Sequence, residues 1–382
     1  MKKPKKTILF ISHCSHLGGA EIVLLRFLEN VTEFTPILFS PSGPFSDGAI
    51  EKRIRTINSK YLRRLRKEEN LFWPFRFFLQ FLGSQFEIIS LIKKIKPDII
   101  QSNNFYVMIY CIVPCSILKL PLIWHMHDIT KKKRVFNWLS WLFQFFSAKI
   151  IAVSDAVRSD LIESGIDPQK IKTVYNSISC EQVSVTDAKL ARELQQLTKN
   201  KWLIVGSLAT IEERKGIQEI IECIDMLVNK QKRNVHYVIA GEAKDLSQMR
   251  YLKELHQEIK EKKLQGNISF IGQIGAIQTF FEYIDVFVHF TKFSDPLATV
   301  ILEALLFKCR VIVSDNGGNP ECVQFGRWGK IVPEGKVIQL AEKIAKQDAP
   351  QFTPAEYKRF LEFFSHARKE REHMALYASI LE

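Results

Sequence analysis

The chain has 382 residues, 46% of them hydrophobic and 25% charged, and its formal net charge is +13. This length predicts two domains of roughly 100–200 residues each, and the composition argues against a disordered or low-complexity chain. Neither a secretory signal nor a membrane span is expected, because no stretch approaches the ~20 uninterrupted apolar residues of a span. The cysteines are scattered and form no C-x-x-C pair, which indicates reduced thiols in a cytosolic protein.

Short β-rich runs alternate with helical patterns along the whole chain. In the first half, strands are predicted at 7–11, 36–39, 98–101, 122–125, 149–153 and 172–175. In the second half, they are predicted at 202–205, 235–240, 268–271, 286–289, 311–314 and 330–332. This alternation predicts parallel sheets covered on both faces. We therefore expect an α/β chain with two doubly wound, Rossmann-like domains, 1–180 and 181–354. One long helix, 355–382, should follow and pack back towards the first domain.

Three glycine-containing loops follow predicted strands, at the edge of a parallel sheet where ligands bind. In the first loop, Gly18 and Gly19 precede a helix, and their free N–H groups suit a phosphate. In the second, Arg214 and Lys215 can neutralise a diphosphate, and in the third, Gly318 can bring main chain close to a ligand. Each loop alone is equally compatible with an ordinary turn, and G-x-G-x-x-G is absent.

His125 and His127 alternate along a predicted strand, so both side chains point to one side, with His127 at the strand end beside Asp128. A His–Asp pair more often stabilises a strand end than binds a metal, and no further ligands with zinc spacing are present. The chain also lacks a D-x-D pair. We therefore expect no metal ion and no cofactor, because lysine and helix N-termini can balance the charge of a diphosphate.

Two carboxylates stand eight positions apart around a predicted apolar helix. Ser294 or Asp295 is expected to cap the start of this helix, with Pro296 in its first position. From 300 to 307 every residue except Glu303 is apolar, which predicts a buried helix. Glu303 then needs a partner, either within the protein or in a ligand.

Together these features resemble the retaining glycosyltransferases of family 4, which have the two-domain GT-B fold with an inter-domain cleft. The resemblance runs from about residue 7 to residue 345. Its most specific element is the acidic-x7-Glu signature, which Asp295 and Glu303 match. The supporting elements follow in the family's order: Gly18-Gly19-Ala20-Glu21, His127-Asp128, Ala152-Val153-Ser154, Val174-Tyr175-Asn176, Lys215-Gly216 and Gly317-Gly318-Asn319-Pro320-Glu321.

The resemblance implies a nucleotide-sugar donor and a role for each matching position. Glu303 would bind the ribose hydroxyls of the nucleotide, and Asp295 would position the transferred sugar. Gly19 and Lys215 would contact the donor diphosphate, and His127 would lie near the sugar and the acceptor.

One position departs from the family pattern. The family often has an arginine where this chain has Ser207. Neutralisation of the diphosphate would then rest on Lys215, with Arg214 beside it.

The positive charge is concentrated in the first half of the chain. Residues 1–180 contain 26 Lys and Arg against 14 Asp and Glu, whereas residues 181–382 contain 28 against 27. Two blocks, Arg63–Phe86 and Lys131–Phe146, place basic residues beside dense aromatics, which is typical of a helix in a membrane interface. The alternative is a solvated rim around core aromatics. Nucleic acid is not expected as a partner, because no nucleic-acid module is recognisable.

We therefore predict a cytoplasmic enzyme, peripheral on the inner face of the cell membrane, that transfers a sugar to a lipid-linked glycan at an anionic membrane surface. The alternatives are a glycosyltransferase with a soluble acceptor and a non-catalytic protein that binds a nucleotide-sugar or nucleic acid. Donor hydrolysis distinguishes a transferase from a binding protein, and liposome flotation distinguishes a lipid-linked from a soluble acceptor.

Overall fold

The structure is a computed structural model that describes residues 5–63, 73–130, 134–178, 186–198, 202–346 and 352–382. The chain divides into two compact units. Unit 1 comprises Met1–Ser177 and Phe364–Glu382, and unit 2 comprises Ile178–Phe363.

Unit 1 is built on a parallel sheet of seven strands. The strands are β1 Thr7–Ile11, β2 Thr35–Pro41, β3 Arg55–Ser59, β4 Ile99–Ser102, β5 Leu122–Met126, β6 Lys149–Ala152 and β7 Ile171–Thr173. Their order is β3-β2-β1-β4-β5-β6-β7. The helices are α1 Gly19–Glu29, α2 Pro44–Glu51, α3 Trp73–Ile95, α4 Phe105–Leu118, α5 Arg134–Phe146, α6 Asp155–Glu163 and the last helix, α15 His366–Leu381. Residues 8–11 of β1 are fully buried, as expected for a central strand of a parallel sheet.

Unit 2 repeats this architecture with six parallel strands. These are β8 Leu203–Leu208, β9 Val235–Ala240, β10 Ile268–Phe270, β11 Val286–His289, β12 Arg310–Ser314 and β13 Lys330–Val332. They lie in the order β10-β9-β8-β11-β12-β13. The helices are α7 Ala188–Thr198, α8 Ile217–Asp225, α9 Leu246–Glu261, α10 Ile277–Glu282, α11 Thr299–Leu306, α12 Asn319–Cys322, α13 Val337–Ala345 and α14 Pro354–Phe363. The predicted α/β class, with two Rossmann-like halves, is confirmed.

Two elements differ from the sequence-based expectation. Strand β3 was not predicted, because its sequence, Arg-Thr-Ile-Asn-Ser, is mostly polar and it lies at the edge of the sheet. The expected single carboxyl-terminal helix is two helices, α14 and α15, interrupted at Phe364 and Ser365. The Ser365 hydroxyl accepts a hydrogen bond from the main-chain N–H of Arg368, so it caps a new helix. The first of these helices belongs to unit 2 and the second to unit 1.

Helix α3 contains a stretch, Phe75–Ile95, that by length and composition could cross a membrane. The sequence analysis did not expect this, because serine, glutamine and charged residues interrupt the apolar run. Part of the helix is core: Ile88, Leu91 and Ile92 are buried in unit 1. A single helix of this kind is weak evidence for a membrane span, since core helices pass the same test.

Candidate functional site

In unit 2, the carboxylate of Asp295 is held by two basic side chains. Lys215 Nζ donates a hydrogen bond to Asp295 Oδ2 at 2.8 Å, and both side chains are only 16% exposed. His289 Nε2 lies 3.5 Å from the same oxygen. Burial acts to raise the pKa of Asp295, but its contacts with His289 and Lys215 outweigh burial and lower that pKa strongly. Asp295 is therefore a carboxylate at neutral pH.

This arrangement corrects the predicted start of the helix. Helix α11 begins at Thr299, after Ala298, and its N-terminus has no side-chain cap. Asp295 is therefore not an N-cap. Its carboxylate accepts a hydrogen bond from Lys215 instead. The buried apolar helix itself is confirmed, and Glu303 is only 3% exposed within it.

Two glycines allow the loops around Asp295 to approach closely. Gly216 has φ +65°, and a Cβ there would lie 1.7 Å from the carbonyl oxygen of Phe290. Gly317 has φ +57°, and a Cβ there would lie 2.2 Å from the carbonyl oxygen of Asp295. The N–H of Gly318 donates to that same carbonyl at 2.8 Å. Both positions therefore require glycine, and they bring Lys215 and Gly318 to Asp295.

The structure does not bring Arg214 to the same place. Its side chain is 60% exposed and pairs with Glu212 at 2.8 Å. Ser207, at the position where the family often has arginine, is buried. Its hydroxyl donates to the carbonyl of Val288 at 2.8 Å and accepts from Tyr237 at 3.0 Å. Ser207 thus stabilises the sheet. Of the two basic residues in this loop, Arg214 and Lys215, it is Lys215 that contacts Asp295.

In unit 1, the two glycines at the start of α1 have different surroundings. A Cβ on Gly18 would lie 2.7 Å from a carboxylate oxygen of Glu21, so the Glu21 side chain lies close to this glycine. Around Gly19, no described atom lies within 4 Å of where a Cβ would be. Of the two, Gly19 is therefore the one whose main chain is open to a ligand, at a helix N-terminus that suits a phosphate.

His127 lies just beyond β5 and is partly exposed. As predicted, it shares a side of the strand with His125, and their ring centroids are 4.1 Å apart. Its Nε2 lies 3.2 Å from Asn103 Oδ1, after the neighbouring strand β4. Asn104 Nδ2 in turn lies 3.0 Å from His13 Nδ1, beyond β1. Polar side chains thus meet at the carboxyl ends of three adjacent strands, β1, β4 and β5.

Sequence reasoning missed His289 and Asn103 as functional candidates. Both stand where a parallel strand ends, which is the one signal that could have identified them. Across the residues that the structure describes, no group of three or more His, Cys, Asp or Glu side chains is arranged to hold a metal ion.

Comparisons with known proteins point to one enzyme class. The family model Glycosyltransferase Family 4 matches residues 17–182, and the model Glycosyl transferases group 1 matches residues 191–347. The capsular polysaccharide biosynthesis glycosyltransferase CapM of Staphylococcus aureus is 24% identical over 282 residues, which cover 69% of this chain and 71% of CapM. The uncharacterized glycosyltransferase MJ1069 of Methanocaldococcus jannaschii is 24% identical over 374 residues, which cover 91% of this chain and 90% of MJ1069.

The fold also matches solved structures. Anabaena HepE in complex with UDP superposes with a TM-score of 0.82 at 19% identity, covering 98% of this chain and 100% of HepE. HepE has also been solved with UDP-glucose, with a TM-score of 0.81 against this chain.

Proposed function

This chain belongs to the family 4 glycosyltransferases and has their GT-B fold, and we propose that it transfers a sugar from a nucleotide-sugar to a lipid-linked saccharide with retention of configuration. The acceptor would be an intermediate of cell-surface polysaccharide synthesis, since CapM is named for capsular polysaccharide biosynthesis. The donor would be a nucleoside diphosphate sugar, and UDP-sugars are the first to test because HepE binds UDP and UDP-glucose.

The observation that carries the donor proposal is the Lys215–Asp295 pair. An ammonium has three N–H donors. Among the described residues, Asp295 accepts a hydrogen bond from one of those on Lys215, so the other two would be available to a diphosphate. Asp295, ionised beside that cation, would accept hydrogen bonds from hydroxyls of the transferred sugar. Glu303 would bind the ribose, and the main chain at Gly318 would lie close to the donor. In unit 1, the open main chain at Gly19 would suit a phosphate group. His127 would lie near the transferred sugar and the acceptor.

A thermal stability screen tests the donor proposal and identifies the base. A ligand at 100 times its dissociation constant should add about 2.7 kcal/mol to the free energy of unfolding. We expect one of UDP, GDP and ADP to stabilise the protein clearly more than the other two. Absence of stabilisation by all three, at concentrations up to millimolar, would contradict a nucleotide site.

Catalysis should not require a divalent cation. With Lys215 and helix N-termini available to balance the diphosphate, we expect transfer rates in excess EDTA to stay within about twofold of those without it. Rates measured with added magnesium or manganese after dialysis against EDTA give the comparison. Complete loss of activity in EDTA, with specific recovery on adding one metal, would show that the site binds a cation.

Support for a membrane-bound acceptor comes from an aromatic surface on unit 1, which we call the apolar face. It comprises exposed residues of α3 and α5: Phe75, Phe78, Leu79, Leu82, Phe86, Trp138, Trp141, Phe145 and Phe146. Their spacing places them along one stripe of each helix. Phe86 is 73% exposed and Trp138 is 59% exposed, which is unusual for side chains of this size in water.

The occupant that we propose for this face is an anionic lipid bilayer. The first half of the chain carries the excess of positive charge, and basic residues precede both helices in the sequence. Of those basic residues, Arg64–Lys67 and Lys131–Lys133 lie outside the described residues. An amphipathic face with aromatics and flanking cations is the pattern that binds an interface without crossing it.

Flotation with liposomes tests this surface. Replacing Lys131, Lys132, Lys133 and Arg134 with Gln should lower binding to anionic liposomes at least tenfold, since each cation near the surface contributes about 1 kcal/mol. Trp138→Ser combined with Phe145→Ser should remove the part of the binding that resists high salt. The matched control replaces four exposed lysines of unit 2 with Gln, at Lys230, Lys232, Lys260 and Lys263. If the unit 1 variants float as well as the parent, the apolar face does not bind membranes.

A further inference from the structure

The last helix of unit 1, α15, has two different faces. On one face, Lys369, His373 and Tyr377 are at most 3% exposed, so this face belongs to the core of unit 1. The other face carries residues that recur about one helical turn apart: Arg368, Arg371, Glu372, Ala375 and Ser379. These residues line a cavity of about 660 Å³, and none of the roles proposed above uses it.

The opposite wall of this cavity comes from the sheet of unit 1. Lys149 is the first residue of β6, and Ile171 and Lys172 begin β7. These are the amino ends of parallel strands, whereas His127 and Asn103 follow the carboxyl ends of β5 and β4. Because the two ends of parallel strands lie at opposite edges of a sheet, the cavity lies away from the candidate site residues of unit 1. We call it the basic cavity.

Positive charge dominates the lining of the basic cavity, which contains one carboxylate, Glu372, and four cations: Lys149, Lys172, Arg368 and Arg371. Glu372 is already paired, because its Oε1 accepts a hydrogen bond from Arg368 Nε at 2.9 Å. Within the described part of the chain, neither Lys172 nor Arg371 has a hydrogen bond or an ion pair through its side chain. Cations gathered around one cavity repel each other, and an anion bound among them relieves that repulsion.

The basic cavity also has an apolar part. Ile171 and Leu376 are each 7% exposed and line it beside Ala375. The volume lies within the range of about 300–1,000 Å³ that is usual for small-molecule sites, so an inorganic anion alone would fill only part of it. The lining therefore suits an anionic group attached to an organic body.

Among anionic groups, a phosphomonoester matches this lining best. It carries a charge of about −1.5 to −2 at pH 7 and has three acceptor oxygens, so it can balance two unpaired cations at once. The planar guanidinium of an arginine can donate two parallel hydrogen bonds to a phosphate. A carboxylate carries a single charge and would balance less of the lining.

We propose that the basic cavity binds the phosphomonoester group of an organic phosphate. Arg371 and Lys172 would contact the phosphate, and the organic part would lie against Ile171 and Leu376. The phosphate can belong to a soluble compound or to a lipid headgroup, since both present the same group. This binding site is separate from the donor site, and no residue assigned to the transfer reaction takes part in it.

Titration of the whole protein with phenyl phosphate, a phosphomonoester with an apolar ring, tests the proposal. Binding is followed by NMR of the methyl group of Ala375, whose signal is identified as the one absent from Ala375→Ser. We expect this signal to shift as phenyl phosphate is added. Benzoate has the same ring with a carboxylate, and we expect it to bind about tenfold more weakly because it carries roughly half the charge.

Lys172→Gln combined with Arg371→Gln removes both unpaired cations. Affinity for phenyl phosphate should fall about tenfold or more, which corresponds to the loss of a single hydrogen bond to a charged group. Both residues are exposed, so the variant should fold like the parent. The matched control is Lys93→Gln with Lys94→Gln, an exposed pair on α3 of the same unit, which removes the same charge and should leave binding unchanged.

Flotation with vesicles of phosphatidylcholine and phosphatidic acid distinguishes the two sources of phosphate. If phenyl phosphate binds and the Lys172/Arg371 variant floats less than the Lys93/Lys94 control, the phosphate is that of a lipid headgroup. Equal flotation of the two variants identifies a soluble phosphomonoester as the ligand. The proposal is overturned if the Ala375 signal does not move with millimolar phenyl phosphate, or if parent and Lys172/Arg371 variant bind it equally. Neither result depends on detecting glycosyl transfer.

Discussion

Replacing Asp295 with Asn should lower the turnover of the enzyme by about 100- to 1,000-fold, the usual cost of losing one electrostatic contact to a transition state. Asn has the same shape but no charge, so it holds the Lys215 ammonium less strongly and lacks the negative charge that we propose positions the hydroxyls of the sugar. Nucleotide affinity should change only a few-fold. Stability should also fall, by about 1–3 kcal/mol at pH 7, because the largely buried ammonium of Lys215 loses its partner.

The matched control for this variant is Asp285→Asn. Asp285 lies at the opposite end of β11, where its carboxylate accepts a hydrogen bond from the main-chain N–H of Ile204 at 2.8 Å. Its substitution should leave turnover at the level of the parent. If Asp295→Asn is destabilised but turns over at the parent's rate, Asp295 is only a structural counter-ion for Lys215.

Glu303→Gln should weaken nucleotide binding by about 10- to 100-fold and leave a folded protein. Hydrogen bonds to a charged group are worth about 1.5–3 kcal/mol each, and glutamine keeps the volume of the side chain within the buried helix α11. Calorimetric titration of the nucleoside diphosphate into parent and variant measures the change directly.

Glu258→Gln on α9 is the matched control, since Glu258 is a partly buried helical carboxylate paired with Lys262. It should bind nucleotide as the parent does. The assignment of Glu303 to the ribose is wrong if Glu303→Gln unfolds the protein while the remaining folded fraction binds nucleotide normally. In that case the carboxylate holds the core of unit 2 together.

The features that local pattern determines could be read from the sequence. Apolar runs such as 8–11 are long enough to specify central strands of a parallel sheet, and loops after strands must lie at its carboxyl edge. For the same reason, the pairing of His125 with His127 followed directly from strand alternation. Strand β3 was not predicted, because an edge strand that is half solvated needs no apolar run.

Contacts between residues distant in the sequence could not be predicted in this way. From the sequence, Asp295 is predicted to be a helix cap beside Pro296. Only the folded loop shows that Lys215, eighty positions earlier in the chain, donates a hydrogen bond to the Asp295 carboxylate. Lys369 and His373 look like ordinary polar positions of an amphipathic helix until that helix is seen packed within unit 1. Long-range pairing of this kind overrides local propensity, and it decides which polar residues become functional.

The most direct test of the proposed reaction is the release of nucleoside diphosphate from a panel of UDP-, GDP- and ADP-sugars. Parent protein, Asp295→Asn and Glu303→Gln should be compared with and without a lipid-linked saccharide extract. We predict release from sugars of one base, stimulated by the lipid fraction and reduced at least 100-fold in Asp295→Asn. Tight nucleotide binding without release from any sugar, with or without the lipid fraction, would contradict a transferase and identify a nucleotide-sugar binding protein.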